Sequence, residues 1–256
     1  MYILPLYVHV GSMIQSNPIT GRELCKLEMT TIQREEQAAA AAPKSAPELN
    51  QTTLPEYPAQ DPARLRAYLC VKRIFDLFAA VFGLLLAGIP MLIIGAAVWC
   101  STKGPMLIKQ ERVGQYGKVF TIYKFRTMVY NAPHDVATTL LKDADSYITP
   151  VGRFLRKSSL DELPQLINVL KGDMSLVGFR PVVLTEKKLN ALRTQYGVFV
   201  CKPGITGLAQ IRGRDDINYK EKARIDAEYA ATRSIKLDLY CLIKTIPFAA
   251  SQKGAR

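Results

Sequence analysis

The feature that most constrains the fold of this chain is an uncharged apolar segment in its first half. Residues 77–102 read LFAAVFGLLLAGIPMLIIGAAVWCST and contain no charged side chain. About 20 apolar residues suffice for a helix to cross a bilayer, whereas apolar runs of about 10–14 residues are more typical of buried core helices. The segment therefore predicts a membrane helix, and a buried helix of a soluble protein is the weaker interpretation.

Two details of this segment favour a re-entrant path over a simple crossing. Pro90 lies near its middle, and proline removes a backbone hydrogen bond and bends or breaks a helix. Lys72 and Arg73 precede the segment and Lys103 follows it, and such basic flanks favour the cytoplasmic face at both ends. We therefore expect a membrane segment over 72–102 that breaks at Pro90 and returns to the same face. The apolar run by itself also permits a full crossing.

The rest of the chain divides into a tail and one main domain. Residues 36–62 are rich in alanine, proline and polar side chains, a composition typical of linkers and disordered segments rather than of a core. We therefore predict a low-complexity tail over 1–62 and a single domain over 63–256. Within that domain, the membrane segment lies at 72–102 and a catalytic portion at 103–256.

Beyond the apolar segment, the pattern predicts a small hairpin and several helices, hence an α+β domain that is mainly helical. In residues 103–128, side chains alternate around a tight turn bracketed by Gly114 and Gly117, as in a β-hairpin. Helical or apolar patterns follow at residues 159–170, 184–197 and 234–250. The C-terminal ones are either interfacial amphipathic helices on a membrane surface or helices packed on the protein's own core, and the sequence leaves both open.

The charge of the main domain implies a polyanionic partner. The whole chain carries +12, but residues 1–60 hold four basic and six acidic side chains, so the remainder carries +14. Nucleic acid, anionic lipid headgroups and phosphorylated substrates all fit such a surplus. A nucleic-acid surface would interleave the basic residues with exposed aromatic side chains. Here they stand on short loops with glycine or proline, so we expect phosphorylated substrates, anionic membrane lipids and no nucleic acid.

These basic loops are suited to phosphate. Arginine on a rigid loop binds phosphate oxygens in a bidentate manner, and loops are where binding residues concentrate. Any one of these residues is compatible with an ordinary charged surface, but together they favour a phosphate-binding site. The candidates are Arg112, Lys124, Arg126, Arg153, Arg156, Arg180 and Lys202.

Two adjacent acids, Asp161 and Glu162, stand among these loops. Ser159 and Glu162 fit a capping box, so the acids are predicted to begin a helix, whose dipole favours the ionised carboxylate. A Mg²⁺ ion held by one acid and by substrate phosphates removes the repulsion between a diphosphate and a carboxylate. The other acid is then free to attack phosphorus, a reaction known for aspartate. Neighbouring helical residues point about 100° apart, so the acids take different roles, one nucleophile and one metal ligand.

Three sequence blocks resemble those of the bacterial sugar transferase family, the polyprenyl-phosphate phosphoglycosyl transferases with a single membrane segment. The blocks are KFRTM at 124–128, GRFLRKSSLDELPQLINVLKGDMSLVGFRP at 152–181 and KPGITGLAQIRGR at 202–214. The resemblance covers most of the main domain. It implies transfer of a sugar-1-phosphate from a UDP-sugar to undecaprenyl phosphate with release of UMP. This reaction begins the assembly of a lipid-linked glycan, such as an exopolysaccharide, capsule, O-antigen or glycoprotein glycan.

The resemblance also implies roles for the two acids and two neighbours. Asp161 corresponds to the nucleophile that forms a covalent aspartyl-phosphosugar intermediate, and Glu162 corresponds to the Mg²⁺ ligand. Gln165 and Pro181 join the basic residues named above as implied substrate-binding positions.

For the membrane segment, the resemblance implies a re-entrant helix. Lys72, Arg73 and Asp76 match the start of the family's membrane helix, and Pro90 matches the proline at which that helix is broken. The chain departs from the family in two places: Phe179 stands in Gly-Phe-Arg-Pro where the family usually has proline, and Thr127 replaces a commoner serine.

Taken together, the expected protein is a small-type enzyme with an extra tail, without the long N-terminal membrane domain of larger members. Its expected location is the bacterial inner membrane, with the catalytic domain on the cytoplasmic face. Expected partners are a UDP-sugar, undecaprenyl phosphate, anionic lipids, downstream glycosyltransferases and a second copy in a homodimer. The alternatives are a membrane-anchored basic protein that binds nucleic acid or lipid without catalysis, and an inactive membrane scaffold. Asp161, Glu162 and Lys124 occurring together argue against the scaffold.

Overall fold

The computed structural model describes residues 60–132, 144–213 and 217–250, with only the backbone described for 246–250. The predicted tail over 1–62 lies almost wholly outside this part. The described residues belong to one compact unit, Pro43–Arg256. In chain order, its elements are α1 Pro62–Ser101, β1 Leu107–Val113, β2 Val119–Phe125, α2 Ala144–Tyr147, α3 Pro150–Ser158, α4 Gln165–Lys171, β3 Ser175–Val177, α5 Lys187–Gln195, β4 Gly204–Thr206, α6 Leu208–Arg212, α7 Tyr219–Thr232 and α8 Ile235–Ala250.

This architecture confirms the predicted α+β class, with helices in the majority and a small antiparallel hairpin. Strands β1 and β2 pair from Leu107 opposite Phe125 to Val113 opposite Val119. The turn lies where the two glycines predicted it, and Gly117 has φ +73°, a conformation that glycine adopts without steric cost. Strands β3 and β4 form a second, parallel pair, which the sequence did not predict.

Helix α1 contains 40 residues and begins where the sequence supplies a cap. The Asp61 carboxylate accepts a hydrogen bond from the Ala63 backbone N–H, and Pro62 lies in the first turn, where its missing N–H costs nothing. Among the described residues, α1 is the helix long and apolar enough to cross a membrane. Helical structure continues through Pro90, because proline can bend a helix without ending it. The re-entrant path stays a prediction.

Both halves of α1 pack on the rest of the domain. Before Pro90, Ala80 is fully buried in a cluster with Val169 and Met174. After Pro90, Val98 is fully buried in a cluster with Phe125 and Leu155. Between the two contacts, α1 presents large apolar side chains that are 64–76% exposed, namely Leu85, Leu86, Ile89, Leu92 and Ile93. An exposed apolar patch of this kind marks a contact with lipid or another apolar partner.

The prediction of one helix over 159–170 is wrong in its first part. Ser159 has φ +57° and makes no side-chain cap, because it ends helix α3 in the left-handed conformation. Leu160–Glu162 forms a 3₁₀ turn, and the α-helix itself begins only at Gln165. The two acids therefore lie on a tight turn between α3 and α4, and not in the first turn of an α-helix.

The structure distinguishes two of the apolar C-terminal helices. Leu189 of α5 is fully buried in a cluster with Val182 and Ala223, so this helix packs on the protein's own core. In α8, Cys241 is buried in the core, whereas Leu239 is 47% and Ile243 is 61% exposed. A membrane-surface role for α8 stays a prediction.

Candidate active site

Three distant parts of the sequence meet at the carboxylate of Glu162. Lys124, at the end of β2, donates from Nζ to Oε1 over 2.8 Å. Arg180, in the loop after β3, donates from Nη2 to Oε1 over 2.7 Å and from Nη1 to Oε2 over 3.2 Å. The Glu162 side chain is 13% exposed, but that of Arg180 is 42% exposed. The Glu162 carboxylate is therefore buried, whereas the Arg180 side chain that binds it is accessible to solvent.

Asp161 differs from its neighbour in how its charge is compensated. Among the described residues, none donates a hydrogen bond to its carboxylate, although Lys124, Arg180 and Arg156 act on it through their charges. Burial raises the pKa of Asp161, and the charge of Glu162 raises it further, against the lowering effect of the cations. The prediction that a helix dipole keeps this carboxylate ionised is wrong, because the α-helix begins only at Gln165 and burial is the largest influence on the pKa of Asp161.

Glu162 is held in its ionised form. Burial alone would raise the pKa of Glu162, but Arg180 and Lys124, by charge and by hydrogen bonds, outweigh burial and hold that pKa well below its ordinary value. Two adjacent carboxyl groups therefore have pKa values pushed in opposite directions. Such a divergence is characteristic of acids with different chemical roles.

Close packing between two loops fixes where Arg180 leaves the backbone. The Gly178 N–H donates to the Thr206 carbonyl over 2.9 Å, and the Gly204 N–H donates to the Phe179 carbonyl over 2.8 Å. A Cβ added to Gly178 would lie 2.2 Å from the Lys202 carbonyl oxygen, a distance that no side chain permits. The VGFRP and KPGITG blocks are therefore joined through their backbones, which explains the glycines in both.

Two further predicted arginines border the cluster. Arg112 feels the charges of Arg180 and Glu162, and its pKa is lowered to about 10, chiefly by burial. Arg156 donates from Nε to Thr127 Oγ1 over 2.9 Å. Burial lowers the pKa of Arg156, and the charge of Asp161 opposes this. Within the part of the chain that the structure describes, four cations thus lie around the two acids.

The remaining predicted substrate contacts have other surroundings. Arg126 is 2% exposed and donates to the Thr102 and Lys103 carbonyls over 2.7 and 3.0 Å. It therefore caps the C-terminal end of α1, and the structure gives it no open path to a phosphate. Arg153 is exposed on α3. Gln165, Pro181 and Lys202 are buried or half-buried, and the roles predicted for them stay predictions.

The matched residues at the start of the membrane helix hold it to the domain. Lys72 donates from Nζ to Asp238 Oδ2 over 2.8 Å. Arg73 donates to the Val169 and Leu170 carbonyls at the end of α4. The Asp76 Oδ1 accepts from the Leu176 N–H over 3.1 Å. Each of these three residues therefore has a partner within the domain.

Sequence reasoning missed several residues that support the site. Arg193 and Asp226 form a buried ion pair, 0% and 2% exposed, and Asp238 is the acceptor for three side chains. Charged residues among apolar helical positions were the available signal. Their charged partners, however, lie 33 and 166 residues away in sequence.

Comparison with known proteins assigns the family. The bacterial sugar transferase family matches residues 67–252, so this chain belongs to the bacterial sugar transferase family. The match includes the hairpin, the two acids and the Arg180 loop, which the geometry brings together at one site.

Individual relatives include both long and short proteins. The chain is 39% identical over 202 residues to the undecaprenyl-phosphate galactose phosphotransferase of Salmonella typhimurium, a match that covers 72% of this chain and 41% of that protein. It is 44% identical over 178 residues to an uncharacterised sugar transferase, EpsL, of Bacillus subtilis, covering 70% and 86%. It is 36% identical over 198 residues to the exopolysaccharide production protein ExoY of Sinorhizobium fredii, covering 72% and 87%. The chain thus spans about two fifths of the Salmonella protein.

Proposed function

We propose that this protein transfers a sugar-1-phosphate from a UDP-sugar to undecaprenyl phosphate and so begins a lipid-linked glycan. The observation that carries the proposal is the pair of unlike acids. Asp161 has no hydrogen-bond donor among the described residues, and beside it Glu162 is bound by Lys124 and Arg180. Relatives named as undecaprenyl-phosphate transferases support the substrate class.

In the proposed reaction, Asp161 is the nucleophile. Its carboxylate oxygen attacks the phosphorus that carries the sugar, the bond from that phosphorus to the bridging oxygen breaks, and UMP leaves. A phosphate oxygen of undecaprenyl phosphate then attacks the aspartyl-phosphosugar, which restores the Asp161 carboxylate and gives undecaprenyl-diphosphate-sugar. Lys124 and Arg180 stabilise the negative charge that develops on the phosphoryl oxygens.

The residues present fit a Mg²⁺ ion of the type held by one or two carboxylates and by substrate phosphates. Glu162 would hold it, and Asp161 lies next to it in sequence. Among the described residues, no group of three or more His, Cys, Asp or Glu side chains is gathered, so the remaining ligands would come from substrate and water. When bound, the ion supplies charge neutralisation and polarises phosphorus. Arg180, which is 42% exposed, is the cation best able to move from Glu162 to a substrate phosphate.

We further propose that the catalytic part faces the cytoplasm at the bacterial inner membrane and that α1 is re-entrant. Support comes from the buried contacts on both sides of Pro90 and from the exposed apolar residues between them. If both ends of α1 rest on one domain, both lie on one face of the membrane. Anionic lipids, a homodimer and downstream glycosyltransferases stay predicted partners.

The reaction is tested by incubating the purified protein with undecaprenyl phosphate, Mg²⁺ and a panel of UDP-sugars. We expect UMP and a lipid-linked product from one or a few donors, which would also identify the sugar. Absence of UMP with every UDP-sugar would contradict the proposal, provided the protein is folded by circular dichroism.

The metal role is tested separately. EDTA should stop turnover of the wild-type protein, and Glu162→Gln should raise the Mg²⁺ concentration required for half-maximal turnover or remove turnover. Binding of Mn²⁺, followed by electron paramagnetic resonance with and without UDP, gives a readout that does not depend on turnover. Full activity in EDTA would exclude the metal.

The topology is tested with a reporter cysteine. The Arg64 side chain is 89% exposed, so Arg64→Cys in a cysteine-free background provides an accessible thiol before the membrane segment. An impermeant maleimide should not label it in intact spheroplasts and should label it after lysis. Labelling before lysis would show a full crossing, since the other end of α1 would then lie on the opposite face from the reporter.

A further inference from the structure

A buried arginine of helix α5 binds the backbone of the loop that carries Arg180. Arg193 is 0% exposed, and its Nη1 donates to the Arg180 carbonyl oxygen over 2.9 Å. Its Nε and Nη2 both donate to Asp226 Oδ2, over 2.9 and 2.6 Å. One guanidinium thus connects the loop to helix α7 through three hydrogen bonds.

The same guanidinium also holds the residue before Arg180. The Arg193 Cζ lies 5.0 Å from the centre of the Phe179 ring, within the range of a cation–π contact. Phe179 also meets Phe199 edge-on, with ring centres 5.4 Å apart. Because residue 179 is phenylalanine, the backbone here lacks the fixed φ that proline would give, and contacts with Arg193 restrain it instead.

This restraint matters because Arg180 itself is not fixed by burial. Its side chain is 42% exposed, yet it makes a bidentate contact with Glu162. A buried ion pair such as Arg193–Asp226 adds little stability over well-packed apolar residues of the same size. A directional role explains its presence better, since the Nη1 bond fixes the backbone from which Arg180 extends.

We propose that Arg193, oriented by Asp226, is a positioning residue for the transfer reaction and acts through Arg180. This inference rests on the proposed function for its catalytic consequence. The pair fixes the angle at which the Arg180 guanidinium reaches Glu162 and the phosphate beside it. A misplacement of about 1 Å at a positioned catalytic group can lower a rate by about 100-fold.

The test is a double-mutant cycle. Arg193→Met alone would leave the Asp226 charge buried and unpaired and so risks unfolding. The variant to use is therefore Arg193→Met with Asp226→Leu, which removes both charges at similar volume. We expect kcat/KM to fall about 10- to 100-fold in the wild-type background and less than about twofold in an Arg180→Ala background, because coupled residues are non-additive. Equal losses in the two backgrounds would overturn the inference.

A second measurement does not depend on turnover. Hydrogen exchange followed by mass spectrometry reports local opening of the backbone. We expect the peptide covering 176–184 to exchange faster when Arg193→Met and Asp226→Leu are combined. Unchanged exchange in that peptide would overturn the inference whatever the activity. If the wild-type protein released no UMP from any donor, the proposed function would fail, and the exchange result would still decide whether Arg193 holds the loop.

Arg224→Met is the matched control. Arg224 pairs with Glu221 on the same helix as Asp226, but both side chains are at least 40% exposed. We expect this variant to leave both kcat/KM and the exchange of residues 176–184 unchanged. If Arg224→Met lowered kcat/KM as much as the combined Arg193→Met and Asp226→Leu substitutions, the effect would come from charge on α7, and the inference would be contradicted.

Discussion

Two buried carboxylate clusters in this molecule contain similar groups and differ in whether each carboxylate has hydrogen-bond donors. In the first cluster, Asp238 of α8 contacts the first part of α1 and is 6% exposed. Its carboxylate accepts from Lys72, Tyr68 and Tyr229 over 2.8, 2.9 and 2.6 Å. Every donor in that cluster is itself buried or nearly so. The arrangement is closed, since the charge has a partner and the carboxylate oxygens are fully engaged.

The cluster at Asp161 and Glu162 is open by comparison. Among the described residues, its cations outnumber its acids and one of its two carboxylates has no hydrogen-bond donor, and the Arg180 side chain is partly exposed to solvent. A closed cluster stabilises the fold. A surplus of cations beside a carboxylate without a hydrogen-bond donor is instead suited to bind an anionic ligand. This difference between the two clusters, and not burial as such, is the basis on which the second is proposed as the active site.

The largest expected effect separates the clusters by chemistry. Asp161→Asn should lower turnover about 10³-fold or more, as expected for loss of a nucleophile, because the amide keeps the shape and loses the attacking charge. Incubation of the wild-type protein with UDP-sugar labelled in the sugar phosphate should place the label on Asp161. Peptide mapping of the label to another residue, or more than a few per cent residual activity, would contradict this role.

The second effect separates the clusters by stability. Asp238→Asn should lower the free energy of unfolding by about 3–5 kcal/mol, because it leaves the Lys72 charge buried without its partner. Turnover per folded molecule should fall less than tenfold. Thermal unfolding in detergent measures the first quantity, and an active-site titration corrects the second. An unchanged melting temperature would show that the closed cluster is not stabilising.

The third and smallest effect is a difference in the pH dependence of stability. Burial raises the pKa of Asp161 in the folded protein, so between the unfolded value of about 3.9 and the folded value the native state binds more protons. Stability must then fall as pH rises through that window. Asp161→Asn cannot ionise and escapes this loss, so its stability relative to wild type should increase from pH 4 to pH 8. A difference that is constant with pH would refute the shift.

Much of the open cluster could be predicted from sequence, and little of the closed one. Asp161, Glu162, Lys124 and Arg180 stand in glycine- and proline-bearing blocks whose composition indicates phosphate chemistry. Arg126 shares a block with Lys124 but donates to the end of α1. It follows the last residue of β2, Phe125, so the alternation of the strand does not set its direction. The composition of the block does not show which of its two cations faces the acids.

The closed cluster depended on partners far apart in the chain. Lys72 and Asp238 are separated by 166 residues, and the sequence around each one does not predict its contact with the other. Similarly, the turn at Leu160–Glu162 looked like a helix start because Ser159 and Glu162 have the right spacing. The left-handed backbone of Ser159 is rare for serine, and a propensity argument does not anticipate it.

The backbone of strand β3 is contacted by residues that belong to α1 or contact it. Asp76 of α1 accepts from the Leu176 N–H, and the Tyr229 hydroxyl, which donates its proton to Asp238 over 2.6 Å, lies 3.1 Å from the Val177 carbonyl oxygen. Strand β3 ends three residues before Arg180. If α1 lies in the bilayer as proposed, its tilt should follow the thickness of the surrounding hydrocarbon, and we expect bilayer thickness to change the rate of the proposed reaction. Nanodiscs of lipids with increasing acyl-chain length should give different kcat values, and a kcat independent of chain length would show that β3 does not transmit the tilt.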